Sequence, residues 1–405
     1  MLIRQTLPFV TRAAAAVFAL FSIKLTYDFL SAQDFALLNY ILFILAMSTA
    51  LSSPINRLFW AENSRDNFVV AVYSTCTVFA FLTILLLTAY GFANTLERST
   101  FLLVGCFSIA YGMYKVAERY IYGQIMFDRS LNAALAIPAL FALLELLFVT
   151  FQYWTGLPSL SARLLGPALL AVGVAFAIPA FRPYSMSLVR SLRHYKNSIS
   201  VMIKQIFSPK GGKMLILTIA TTLAVMIDRL ILGYYPIKNP AASADYLLAL
   251  SYAIAIQTFL NVLIDLGRKR IYQNMAWVGG AKSFAQRVFL LAVPLALSLI
   301  LIFPALHYLV LIPASVNIYV WVVLILRAIT SFIINFAFTD SIQSGRISDT
   351  FMPILILVTI SLAFLFMLIT GIEDRTAAIV CGVPLIALSL VVVAGFHRRV
   401  PADLT

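Results

Sequence analysis

The sequence predicts an all-α integral membrane protein in which twelve transmembrane helices form two six-helix bundles related by a pseudo-two-fold axis. Three observations carry that expectation. The 405-residue chain is 62% hydrophobic and only 11% charged, with a mean hydropathy of +0.97. About twelve apolar runs are long enough to cross roughly 30 Å of hydrocarbon, separated by short polar breaks. Two segments about half a chain apart also repeat one another.

In chain order the spans are expected at 8–30, 35–59, 68–92, 100–122, 131–153, 162–181, 213–234, 244–267, 284–306, 317–339, 350–371 and 376–396. The first is a span rather than a cleaved leader, because no small-residue cleavage site follows it. Only the connection after the sixth span is long, so the chain divides into 1–181, a linker 182–212 and 213–405. In that linker Leu188, Leu192, Tyr195, Ile199, Met202, Ile203 and Phe207 recur at steps of three and four, with basic residues between them. Such a helix is expected to lie in the headgroup layer, drawn to anionic lipid, either as a tether between the halves or as a site for specific lipid headgroups. No loop is long enough for a soluble catalytic domain, so a non-enzymatic role is expected. Cys76, Cys106 and Cys381 fall inside spans, and no His/Cys spacing suggests a metal.

The repeat supports the halves. SAQDFALLNYILFI from Ser31 resembles SADYLLALSYAIAI from Ser243. Asp34 precedes Arg57 by 23 residues, and Asp245 precedes Arg268 by the same interval. Upstream, Lys24 falls opposite Asp228. Six spans is an even number, so both copies cross the membrane in the same sense, about an axis along its normal. Lys and Arg concentrate in alternate loops, which places both termini in the cytoplasm. The formal charge of +13 is mostly this bias, and nucleic acid is not an expected partner.

Ionisable side chains inside spans cost about 2.5–3.5 kcal/mol on insertion scales and usually meet a cavity or a partner. Arg327 and Glu145 lie near the middles of their spans. Arg327 reads as facing a cavity or bonding a neighbouring helix; Glu145 reads as a proton or cation site or as a partner for a base. Lys24 and Asp28 are four apart and can pair on one helix face. Arg12 lies about one turn inside its span, within snorkelling reach. In VMIDRLILGYY, Asp228 and Arg229 point about 100° apart and cannot pair with each other. At the inner end of the fourth span, Lys115, Glu118 and Arg119 sit among tyrosines. This is either an aromatic belt with positive anchors or a phosphate platform at the cytoplasmic mouth.

The segments LSAQDFALLNYILFILAMSTALSSPINRLFWA and IDRLILGYY leading into SADYLLALSYAIAI, with the six-plus-six layout, resemble the polysaccharide or O-antigen flippases (Wzx-type) of the multidrug/oligosaccharidyl-lipid/polysaccharide exporter superfamily. The resemblance implies translocation of undecaprenyl-pyrophosphate-linked oligosaccharide across the bacterial inner membrane by alternating access. It implies Lys24, Arg57, Arg229, Arg268 and Arg327 as headgroup cations. Asp228, Glu145 and Asp28 become candidate coupling acids for Na+ or H+, with no organic cofactor. Implied partners are the lipid-linked oligosaccharide, membrane lipids, a polysaccharide polymerase and a chain-length regulator. The chain departs from the family where LSSPINR replaces a usual glycine. Three other readings stay open. DLGRKR, from Asp265, resembles a facilitator-type loop motif of sugar and drug transporters; a polymerase or ligase has similar size and span count; a scaffold would leave the deep charges unexplained.

Overall fold

The computed structural model describes residues 2–62, 65–94, 96–128, 131–156, 159–177, 208–234, 240–273, 303–309, 315–343 and 351–398, with a few positions at 200, 204 and between 293 and 313. These residues form helices and turns, without a strand among them. In chain order the helices are α1 (Leu2–Phe29), α2 (Ala32–Glu62), α3 (Arg65–Ala93), α4 (Arg98–Asp128), α5 (Leu131–Thr155) and α6 (Leu160–Ala177). They continue as α7 (Pro209–Tyr234), α8 (Pro240–Gln273), α9 (Phe303–Tyr308), α10 (Ile318–Gln343), α11 (Phe351–Thr370) and α12 (Asp374–Arg398). Nine of these, among the described residues, are long and apolar enough to cross a membrane, and the chain is a multi-pass membrane protein.

Helix ends follow local chemistry. Ser31 caps α2: its Oγ accepts from the Asp34 amide at 3.1 Å and donates to the Asp34 carboxylate at 2.8 Å. Ser159 caps α6 through the Ala162 amide. Asn317 caps α10 through the Val320 amide while its side-chain amide donates to Asp374 at the start of α12. α11 closes in a Schellman turn: Gly371 adopts φ 76° and the Ile372 amide donates back to the Met367 carbonyl at 3.0 Å. Gly156, at φ 65°, ends α5 in the same left-handed region.

Several helices outrun their apolar runs. α8 has 34 residues, about 50 Å at helical rise, where a span was expected only over 244–267. Polar ends continue the helix because water or headgroups satisfy their side chains, while hydrophobicity marks only the lipid-crossing part. Of the ninth expected span, 284–306, the described residues hold only the beginning of α9 and a few positions before it. The expected linker, 182–212, lies almost wholly outside the described residues.

The chain forms two compact units, Met1–Thr222 and Leu223–Thr405, and the division falls inside α7. In the first unit α2 is central, with 78% of its span window enclosed. Phe35, Ile41 and Ile44 are fully buried along it, and the Tyr40 hydroxyl donates to the Leu86 carbonyl of α3 at 2.9 Å. α1 packs on α5, α4 on α6, and α2 on α3. α5 and α6 meet closely at Gly166, where a Cβ would stand 2.1 Å from the Phe148 ring. In the second unit α10 is the central helix, 83% enclosed against 28% for each of α11 and α12. It packs against α8, α11 and α12, with Trp321 and Phe332 fully buried. Side chains on α10 are therefore kept from lipid by neighbouring helices.

Candidate functional site

The second unit buries its charges around the middle of α7. Ala224 and Asp228 lie one turn apart on one face of that helix. Across from them, Arg327 projects from α10. Its Nη1 donates to Asp228 Oδ2, its Nε and Nη2 donate to the Ala224 carbonyl at 3.1 and 2.7 Å, and Nη2 also reaches the Val225 carbonyl at 3.2 Å. The Tyr246 hydroxyl, from α8, donates to the same Asp228 Oδ2 at 2.9 Å. From α11, Ser361 donates to the Ala224 carbonyl at 3.3 Å. Asp228 is completely buried and Arg327 nearly so. One guanidinium thus ties α10 to α7 through a carboxylate and two main-chain oxygens, the forked geometry that Arg provides and Lys does not.

Arg229, the next residue, points elsewhere as helical rotation requires. Its Nη2 donates to Ser251 Oγ of α8 at 2.8 Å, and Ser251 in turn donates to the Leu247 carbonyl at 2.7 Å. Arg229 is only 5% exposed; among the described residues its Nε has no partner and no carboxylate bonds to it. Asp228 Oδ1 is likewise without a partner among the described residues. Two arginines therefore share one carboxylate in the interior of this unit. Beside Arg327, α7, α8 and α10 line a small, partly open pocket of about 10 Å³, bordered by Val225, Leu250, Gln257, Leu324 and Ser331 among others. Gln257 donates to Ser331 Oγ there at 2.8 Å. The space is that of a single water.

The first unit treats its deep charges differently. Glu145 of α5 is paired with Arg163 of α6. Arg163 Nε also donates to Thr26 Oγ1 at 2.9 Å, and Nη2 approaches Ser22 Oγ at 3.5 Å. Ser22 and Thr26 are one turn apart on α1, so this guanidinium joins three helices. On another face of α1, Lys24 and Asp28 form the expected pair, with Lys24 Nζ 5.3 Å from the Tyr27 ring centroid. One cation meets one anion at each place.

Lys115 of α4 lies over two rings, 5.3 Å from the centre of Tyr111 and 5.2 Å from that of Tyr114. The side chains of Arg12, Arg57, Glu118, Arg119 and Arg268 lie outside the described residues. Among the described residues no group of three or more His, Cys, Asp or Glu comes together.

Two partners escaped the sequence reading. Arg163 stands at the very edge of the sixth expected span, 162–181, where a basic residue reads as a charge of the membrane surface, yet α6 starts at Leu160 behind the Ser159 cap and the side chain turns inward. Tyr246 occupies the aromatic position of the repeat, where the first copy has Phe35. The added hydroxyl was the available signal. Arg327 meets a neighbouring helix as well as an acid, which answers why an arginine stands at the centre of α10. Asp228 is matched by the repeat to Lys24, but its bonds go to Arg327 and Tyr246.

No family model and no curated protein sequence matches the chain. Solved structures do resemble it. The lipid II flippase MurJ, in an inward closed conformation, superposes with a TM-score of 0.56 at 11% identity, over 100% of this chain and 89% of that one. A MATE transporter in complex with MaD5 gives 0.52 at 14% identity over 98% and 97%. A mutant of the Vibrio cholerae MATE transporter VcmN gives 0.50 at 15% identity over 98% of both chains. At such identities the likeness establishes the fold, which is that of these membrane transporters.

Proposed function

We propose that the chain is a flippase that carries undecaprenyl-pyrophosphate-linked oligosaccharide from the inner to the outer leaflet of the bacterial inner membrane by alternating access. The observation that carries this reading is Arg229, a 95% buried cation whose only bond among the described residues is to a serine hydroxyl. Taking a cation out of water without an acid is expensive, so the site is suited to an anion that arrives with the substrate. A pyrophosphate diester offers several charge-assisted acceptors for a guanidinium. Its entry requires α7 and α8 to part, as a cycle of opening and closing would have them do. Arg327 is engaged by Asp228 and the α7 carbonyls, and in this reading it holds the wall against which Arg229 works. Lys24, Arg57 and Arg268 remain proposed headgroup cations, and Lys115 with Glu118 and Arg119 the proposed cytoplasmic mouth. The fold shared with MurJ, described as a lipid II flippase, supports a lipid-linked substrate. H+ or Na+ would drive the cycle, and the polymerase and chain-length regulator of the same pathway would be its partners.

The MATE likeness favours a second reading, a drug exporter. A cationic drug would meet an interior with more arginine than carboxylate, which weighs against it. Complementation in a strain lacking its own flippase separates the two. Arg229→Ala and Arg229→Gln should abolish surface polysaccharide while the protein stays in the membrane at normal level. Normal surface polysaccharide with both variants, or efflux of a cationic dye that Arg229→Ala removes, would overturn the flippase reading.

A further inference from the structure

We infer that Ser251 reserves Arg229 for an anion: its hydroxyl supports the guanidinium and brings no charge of its own. The inference rests on the anion seat proposed above and adds a specificity-determining residue to it. Ser251, on α8, is 2% exposed. Its proton is committed to the Leu247 carbonyl at 2.7 Å. Toward α7 the oxygen is therefore an acceptor, and it accepts from Arg229 Nη2 at 2.8 Å. Support of that kind steadies one edge of the guanidinium and leaves its charge for a ligand.

The other buried arginines show what position 251 omits. Arg163 also leans on hydroxyls, those of Thr26 and Ser22, but Glu145 completes its set. Arg327 combines main-chain oxygens of α7 with Asp228. Arg229 has the hydroxyl without a bonded carboxylate, and its Nε has no partner among the described residues. An acid at 251 would stand beside the same guanidinium and complete it as Glu145 completes Arg163. It would lower the cost of a buried unmatched cation and take the place of the anion at the same time. The internal repeat agrees. At the interval that separates Asp34 from Asp245, Ser251 corresponds to Tyr40, whose hydroxyl donates to the Leu86 carbonyl of α3. Where Lys24 aligns with Asp228, Arg229 corresponds to Leu25. The cation and the small hydroxyl are absent together from these positions of the first unit.

Full-length protein in nanodiscs would be titrated calorimetrically with farnesyl pyrophosphate, beside Ser251→Asp, its neutral isostere Ser251→Asn, and Arg229→Gln. Ser251→Asn should bind within about threefold of wild type, and Ser251→Asp about 10- to 100-fold more weakly than Ser251→Asn, as expected when a bond to a charged group is withdrawn. Without ligand, Ser251→Asp should unfold at a higher temperature than Ser251→Asn. The two variants thus rank oppositely in binding and in stability, whereas a residue that only packs would rank them alike. Equal affinity of the two, with binding lost in Arg229→Gln, overturns the role of Ser251 and leaves the anion seat standing. No binding by wild type, or undiminished binding by Arg229→Gln, overturns the anion seat and this inference with it. If Ser251→Asn folds and Ser251→Asp does not, the inference falls, because an acid beside the unmatched cation should stabilise. If neither folds, the same comparison is made with Leu247→Asp and Leu247→Asn, one turn away on the same face of α8 and each smaller than the leucine replaced; equal affinity there refutes the inference.

Discussion

Each unit buries an arginine against a carboxylate, but the two pairs are built to different ends. In the first unit Arg163 is supported by Ser22 and Thr26 of α1, and Glu145 keeps about a quarter of its side chain exposed. In the second, Asp228 has no exposure and its partner Arg327 donates to main-chain oxygens of α7 as well. Among the described deep charges, the first unit is balanced, one acid to each base; the second carries Arg229 in excess. Packing makes the same residue types a brace in one place and leaves a buried arginine without a bonded carboxylate in the other, where the cost of an unmatched charge is higher because water is removed. In the function proposed above, the excess, not the pairs, is what a ligand would use.

The contrast breaks most visibly at Arg327. Arg327→Met strands a fully buried Asp228, and a loss of about 3–5 kcal/mol is expected from thermal or denaturant unfolding in detergent. The double change Arg327→Met with Asp228→Leu should recover most of that loss, because a buried pair replaced by apolar groups costs far less than a broken one. Next comes the close approach of α5 and α6: Gly166→Val drives a side chain into Phe148, with about 1–3 kcal/mol expected from overpacking. Arg163→Met should cost about 1–2 kcal/mol, less than the loss at Arg327, since Glu145 is less enclosed by protein than Asp228. If Arg163→Met proves as damaging as Arg327→Met, the distinction drawn between the units fails. Tyr246→Phe removes one bond to Asp228, and a change of about 1 kcal/mol is expected. Lys24→Met, which breaks a half-exposed pair within one helix, should lower unfolding stability by less than about 1 kcal/mol.

Much of this was legible beforehand. The long polar-free runs announced helices, and the expected spans other than the ninth, which lies mostly outside the described residues, correspond in order to described helices. The Lys24–Asp28 pair followed from spacing alone, since residues four apart share a helix face. That Asp228 and Arg229 do not pair followed from the rotation between neighbours. Their actual partners did not follow. Arg327 lies 99 residues beyond Asp228 and Arg163 lies 18 beyond Glu145. Such pairs depend on which helices pack together and in what rotation. Tyr246 was hidden in a different way, because as an aromatic at a helix start it fits a packing role as well as a bonding one.

By itself, then, the sequence determined that this chain crosses a membrane repeatedly as helices, because lipid leaves the backbone no other way to satisfy its polar groups over such apolar runs. It also marked the ionisable groups trapped well inside those runs, though not Arg163 at the edge of α6. Which trapped charges cancel was decided only by the tertiary structure. Packing brought Arg327 to Asp228 and Arg163 to Glu145, and left Arg229 with a hydroxyl. The reason is that a hydropathy pattern records how much a residue dislikes lipid, whereas the neutralisation of a charge depends on a partner within a few ångströms, and that distance is set by how the helices pack.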